Sequence, residues 1–232
     1  MSLLNFLLDK QVIYVVCDTL ASYPEDLEPR SFTTKVYTVP HLEGLICGTG
    51  VGQFVLEWYC RVIERMVVRD LHNLDEFTPS ALREIWQRYQ VTSLGRELTS
   101  TILHLGYDRV ENQFVGWVYP SVNDFASQEL AYGTYFKPQE FETGEFDYKG
   151  KLEDFVRIAE IQKVSDRARP KEQQIGIGGH LISYIMMARG PEDEEGEPEL
   201  TTTVSRFYQF DDCGTDWLRA CNKLPPNPGI DA

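Results

Sequence analysis

Few residues of this chain are of types that do covalent or metal chemistry, and their spacing narrows the options. The five cysteines, Cys17, Cys47, Cys60, Cys213 and Cys221, form no Cys-x-x-Cys pair, and the four histidines stand apart at 41, 72, 104 and 180. No zinc spacing results and the cysteine count is odd, so a reduced, cytosolic protein with no structural metal and no cofactor is expected. His104, on an expected strand, and His180, after Gly178-Gly179, could each serve as a general base. No carboxylate is spaced to orient either, and such histidines are commonly core or edge residues. Cys47 lies within an apolar run and reads as a small buried side chain rather than a thiol nucleophile.

Gly48-Thr49-Gly50-Val51-Gly52 has the look of an anion-binding turn before a helix. It lacks the Gly-Lys-Ser/Thr ending of a P-loop and the acidic residue about 20 positions on in the form a dinucleotide site expects, so close strand-to-helix packing explains it better. Ser2 is different in kind. Removal of Met1, which a small second residue permits, would leave a free N-terminal serine. A serine hydroxyl is a weak nucleophile until a base takes its proton. An α-amine, with an ordinary pKa of about 7.7 to 8, is partly neutral at cellular pH and can be that base. The plainer reading, an ordinary second residue, stands beside this one.

The elements that must position these residues are legible as periodicities. Leu3 to Leu8 and Val12 to Cys17 read as strands joined by a turn at Asp9-Lys10-Gln11. A polar loop from Ser22 to Arg30 precedes an alternating strand from Phe32 to Val39, and Leu42 to Cys47 is a fourth strand. From Thr49 to Asp70 the apolar residues Val51, Phe54, Val55, Trp58, Val62 and Met66 fall at helical spacing. Thr78-Pro79 signals a second helix reaching Tyr89. Strands are expected at Thr99 to Leu105, Phe114 to Tyr119 and Gln128 to Phe136, with turns at Gly106-Tyr107-Asp108 and at Ser121 to Asp124. A third helix covers about Leu152 to Arg167, with Leu152, Phe155, Val156, Ala159 and Val164 on its apolar side. Gly178 to Met187 and Leu200 to Phe210 are the last strands, joined by the acidic stretch from Gly190 to Glu199, a solvated loop. This order predicts an α+β fold of two antiparallel sheets covered by helices on their outer faces. One domain over 1–224 and a loose tail over 225–232 are expected.

Composition excludes several classes. Lys and Arg number 22 against 36 Asp and Glu, a net charge of −14, and the basic residues are scattered. Neither nucleic acid nor an anionic membrane is therefore an expected partner. No apolar run approaches the roughly 18 to 20 residues that span a bilayer, and the N-terminus lacks the charged lead of a signal peptide.

Several short stretches, taken in order, resemble the proteasome β-subunit-like branch of the N-terminal nucleophile hydrolases. They are Ser2-Leu3-Leu4, Val12-Ile13-Tyr14-Val15-Val16-Cys17-Asp18, Phe32-Thr33-Thr34-Lys35-Val36, Leu45-Ile46-Cys47-Gly48-Thr49-Gly50, Ala131-Tyr132-Gly133-Thr134 and Gly176-Ile177-Gly178-Gly179. The resemblance covers most of the chain and implies a four-layer αββα sandwich. It implies Ser2 as nucleophile with its α-amine as base, and Asp18 as the residue that orients Lys35. Lys35 becomes the electrostatic activator, the Gly48 N–H the oxyanion donor, and Thr134 the hydroxyl of the family's earlier turn. Taken singly, Asp18 is a common turn former and Lys35 a common solvated side chain. Gln174 and Ile177 stand where the family's peptidases place Asp and Ser, a departure around the amine.

The implied function is hydrolysis of a peptide or small amide, in a homo-oligomer, ring-like or otherwise, with an ATPase partner by analogy. The rival is a non-catalytic scaffold subunit of the β-like kind. An α-type subunit is not expected, because the chain starts in its first strand without a preceding helix. A hydrolase of small non-peptide amides is the third reading.

Overall fold

The computed structural model describes residues 3–23, 26–92, 98–139, 151–190 and 198–223. The first part of the chain forms β1 (Leu4–Leu8), β2 (Val12–Asp18), β3 (Leu20–Ser22), β4 (Pro29–Phe32), β5 (Val36–Val39) and β6 (Gly44–Thr49). Helices α1 (Gly52–Arg65) and α2 (Leu71–Thr92) follow, then β7 (Thr101–Asp108), β8 (Gln113–Pro120), β9 (Gln128–Glu129) and β10 (Gly133–Lys137). The last described elements are α3 (Leu152–Ala168), β11 (His180–Arg189), β12 (Glu199–Gln209) and α4 (Cys213–Lys223).

Period-two patterning builds the first hairpin. Leu4, Phe6 and Leu8 on β1, and Ile13, Val15 and Cys17 on β2, point into one core. Leu3, Leu7, Tyr14 and Val16 point into another. The turn is closed by Asp9 N donating to Val12 O at 3.0 Å and Gln11 N to Asp9 Oδ1 at 3.1 Å. These strands occupy the middle of an antiparallel five-stranded sheet of order β10-β1-β2-β11-β12. The second five-stranded sheet is a meander, β5-β6-β7-β8-β9, also antiparallel. β3 and β4 pair apart from both.

Three cores layer these parts. Between the sheets, Leu4, Phe6 and Val15 meet Val36, Leu103 and Leu105. On the outer face of the second sheet, Phe54 and Trp58 of α1 and Leu74 and Leu82 of α2 pack on Ile102 and Tyr119. On the outer face of the first sheet, Phe155 and Ala159 of α3 pack on Leu3, Val16 and Leu181. Burial of each large side chain contributes roughly 1.5 to 3 kcal/mol, so each helix is held by its sheet rather than by propensity alone. No helix among the described residues is long and apolar enough to cross a membrane.

Polar groups also fasten α3. Asn5 and Gln162, both fully buried, exchange amide hydrogen bonds. Asn5 Nδ2 donates to Gln162 Oε1 at 2.7 Å and Gln162 Nε2 to Asn5 Oδ1 at 3.1 Å. Gln162 Nε2 also reaches Pro138 O at 2.8 Å. Gln162→Ala leaves the buried Asn5 Nδ2 without its acceptor and removes a donor from Pro138 O, while Asn5 Oδ1 keeps the Lys137 N–H, and it is expected to cost about 2 kcal/mol. A urea titration with unchanged slope and lowered midpoint would show it.

Several expected boundaries move, each for a visible reason. The second helix begins at Leu71, not at Thr78-Pro79, because Asp70 Oδ1 accepts the Asn73 N–H at 2.8 Å and caps it. Thr78 is buried inside the helix, its Oγ1 donating to Leu74 O at 2.7 Å. Pro79, also interior, leaves the Asp75 carbonyl without its helical donor. α1 stops at Arg65 where β-branched Val67 and Val68 follow. The strand expected over Phe32 to Val39 divides into β4 and β5, with Thr33 to Lys35 between them. The strand expected over Gln128 to Phe136 likewise divides into β9 and β10, and Gly106-Tyr107-Asp108 lies within β7 rather than in a turn. Val164 faces out from α3 at 67% exposure, while Gln162, Lys163 and Asp166 face in. α4 was not foreseen. Residues 191–197 of the acidic loop and the tail expected over 225–232 lie outside the described residues.

Candidate active site

Asp18 ends β2, the strand with β1 on one side and β11 on the other. Its carboxylate is fully buried and accepts from three separate parts of the chain. Leu3 N donates to Oδ1 at 3.0 Å, Lys35 Nζ to Oδ1 at 2.6 Å, and Gly178 N to Oδ2 at 3.2 Å. A buried carboxylate survives only with such compensation.

Lys35 arrives from the bridge between β4 and β5. Thr33 N donates to Thr19 O at 2.8 Å, so this segment is laid alongside the end of β2. The ammonium is 8% exposed and donates its second bond to Leu20 O at 2.7 Å. The pairing of Val36 with Cys47 carries forward to place Lys35 opposite Gly48. A Cβ at Gly48 would lie 2.4 Å from Thr101 O, so the approach of β6 to β7 requires glycine there. Lys35, Gly48, Thr33 and Thr49 line one cavity of about 240 Å³, together with Gly52 and Gln53 at the start of α1.

The third donor comes from the turn before β11. Asp166, 3% exposed near the end of α3, accepts Ile175 N on Oδ1 at 2.8 Å and Gly176 N on Oδ2 at 3.0 Å. Gly179 takes φ +79°, and His180 N then donates to Thr19 Oγ1 at 2.9 Å. α3 thus holds the turn, and the turn presents Gly178 N to Asp18. No sequence motif marked Asp166. An acid in the last turn of a helix, where the dipole disfavours it, was the available signal.

The structure brings Asp18, Lys35 and Gly48 together. Ser2 lies outside the described residues, but Leu3, its covalent neighbour, is fixed to the same carboxylate as Lys35. Thr134 is elsewhere: it pairs with Leu7, whereas the site end of β10 is Lys137 opposite Leu4, so it stands roughly 13 Å along the strand from Leu3. Gln174 donates from Nε2 to the Arg167 and Arg169 carbonyls and closes the end of α3, and Ile177 is buried in the core beneath it.

His104 and Cys47 resolve as structural. His104 Nε2 accepts from Trp58 Nε1 at 2.8 Å in full burial, which pushes its pKa down to about 3 and keeps it neutral. Burial drives the Cys47 thiol well above its ordinary pKa, and the Cys17 thiol up to about 12 despite the opposing influence of Lys35. His180 sits between Phe32 and Cys213, its Nε2 3.2 Å from Gln209 Oε1.

No protein-family model matches the chain, and no curated protein matches it.

Proposed function

We propose that this chain is an N-terminal-serine amide hydrolase of the proteasome β-subunit-like, N-terminal nucleophile type, with Ser2 exposed by removal of Met1. One observation carries the reading: the Asp18 carboxylate bonds both the Lys35 ammonium and the backbone N–H of Leu3, and Lys35 lines one cavity with Gly48. A cation held next to the first residues of the chain is what an N-terminal nucleophile needs. It lowers the pKa of a neighbouring amine and stabilises an alkoxide forming beside it.

In this mechanism the Ser2 α-amine takes the Oγ proton as Oγ attacks the scissile carbonyl carbon. The oxyanion is met by the Gly48 N–H, a kind of contact worth roughly 3 to 4 kcal/mol in other hydrolases. The amine then passes the proton to the leaving nitrogen, and an ester remains on Ser2. Water, deprotonated by the same amine, attacks the ester carbonyl; the bond to Oγ breaks, Oγ takes the proton back from the amine, and the acid is released. Lys35 is oriented by Asp18, and Asp18 is itself oriented by Leu3 and Gly178.

The test is intact mass and N-terminal sequencing of protein from its native host, followed by exposure to a β-lactone that acylates N-terminal hydroxyl nucleophiles. Loss of Met1 and one adduct on Ser2 are expected, with none formed by Ser2→Ala. Retention of Met1 with no adduct overturns the reading. In that case the scaffold alternative gains, and it has its own supporting observation: Gln174 and Ile177 are spent on a helix end and a core. Either reading carries assembly into a homo-oligomer, which light scattering would measure.

A further inference from the structure

The cavity at Lys35 has a charge character that the hydrolase reading does not account for. Among the described residues lining it, the charged side chains are Lys35 and Arg30, and no Asp or Glu lines it. In a chain with 36 acidic residues, that leaves a cationic recess in an anionic molecule. The charge of Lys35 is taken up by Asp18. Arg30 has no such partner: among the described residues no carboxylate pairs with it, whereas Arg61, Arg83, Arg88 and Arg167 each hold one.

Arg30 is nonetheless positioned. It is an exposed residue of β4, standing at the irregularity between the pairs Ala21–Ser31 and Ser22–Pro29, and its guanidinium stands 5.8 Å over the centre of the Tyr23 ring. Lys223 approaches the same ring at 5.2 Å, but its ammonium is bound to Asp26 at 3.0 Å. A guanidinium resting on an aromatic face keeps its planar fork free for a carboxylate. A cavity of about 240 Å³ is smaller than the roughly 300 to 1,000 Å³ of pockets for drug-sized ligands and suits one side chain.

We propose that this cavity selects a substrate residue bearing a carboxylate, with Arg30 as the specificity-determining side chain. The proposal rests on the hydrolase reading for its cleavage arm, and its binding arm is independent of catalysis. The probes are acetylated tetrapeptides ending in Glu, Leu or Lys, each made as a fluorogenic C-terminal amide for cleavage and as a simple amide for calorimetry. The proteins are the native chain, Arg30→Glu, and Arg30→Gln, which keeps the stem on Tyr23.

Cleavage of the Glu peptide is expected to exceed that of the other two about tenfold or more in kcat/KM, with loss of the preference in Arg30→Gln and reversal toward Lys in Arg30→Glu. Cleavage without that preference, or with one that both variants retain, overturns the proposal and leaves the hydrolase intact. Absence of cleavage together with Glu-selective binding lost in Arg30→Gln supports the selection and removes the hydrolase. Absence of both cleavage and Glu-selective binding overturns both.

Discussion

Lys35→Met is expected to lower the stability of the protein by about 3 to 5 kcal/mol, because it leaves the Asp18 carboxylate buried without its cation. Asp18 is fully buried and its bond to Lys35 is the shortest it makes, at 2.6 Å. The remaining donors, Leu3 N and Gly178 N, are neutral amides and do not offset a full charge. A double variant separates charge from packing. With Asp18→Asn added, the charge is gone and the asparagine oxygen still accepts one amide, so about 2 kcal/mol of the loss is expected to return. Equilibrium urea unfolding of the single and double variants measures this directly. An equal loss in both would mean that the pair is held for its shape rather than its charge. Reaction of Ser2 with the β-lactone is expected to vanish in both, since neither has the cation.

Asp166→Ala should be nearly as severe, at about 3 kcal/mol, because two amide donors lose a charged acceptor together. One of them, on Ile175, belongs to a residue only 6% exposed. The consequence extends beyond the turn, since Gly178 follows two residues after Gly176 and gives its N–H to Asp18. Hydrogen exchange at Ile175 to Gly178 is expected to accelerate, and the adduct on Ser2 to form more slowly. Asp166→Asn, which preserves an acceptor, is expected to recover at least half of the stability. Unchanged exchange in the alanine variant would show that the turn is held by Ile175 and Ile177 in the core instead.

The parts of the fold that could be read from sequence are those whose faces meet different surroundings. β1 and β2 alternate because their two sides enter two cores, and α1 shows its stripe because Phe54, Trp58 and Val62 share one sheet. α4 was not readable because its pattern is inverted: Asp216 and Ala220 are buried while Trp217 and Leu218 are over half exposed. α3 misled in the same way. Gln162 and Asp166 face inward because their partners lie outside the helix, Asn5 far back in the chain and the Ile175–Gly176 amides in the turn that follows, and periodicity carries no information about such partners. The break at Thr33 to Lys35 was hidden because Thr33 and Thr34 are themselves strand formers.

Of the candidate site, resemblance pointed to Asp18, Lys35 and Gly48; in the structure Lys35 and Gly48 line one cavity, and Asp18, buried outside its lining, holds Lys35. The same reasoning included Thr134, which the register of β10 on β1 holds away from them. A motif of small residues fixes a turn type but not the position of that turn along a strand, and here Gly133 and Thr134 begin a strand.

The three donors to Asp18 also set an order in time. Leu3 and Lys35 leave the ribosome close to Asp18, but Gly178 follows it by 160 residues, and β11, which must flank β2, comes later still. A growing chain therefore holds its ammonium and carboxylate long before the turn that orients them has been synthesised. Whatever chemistry the cavity performs is withheld from the nascent chain and from the proteins emerging beside it until Gly178 and β11 have been made.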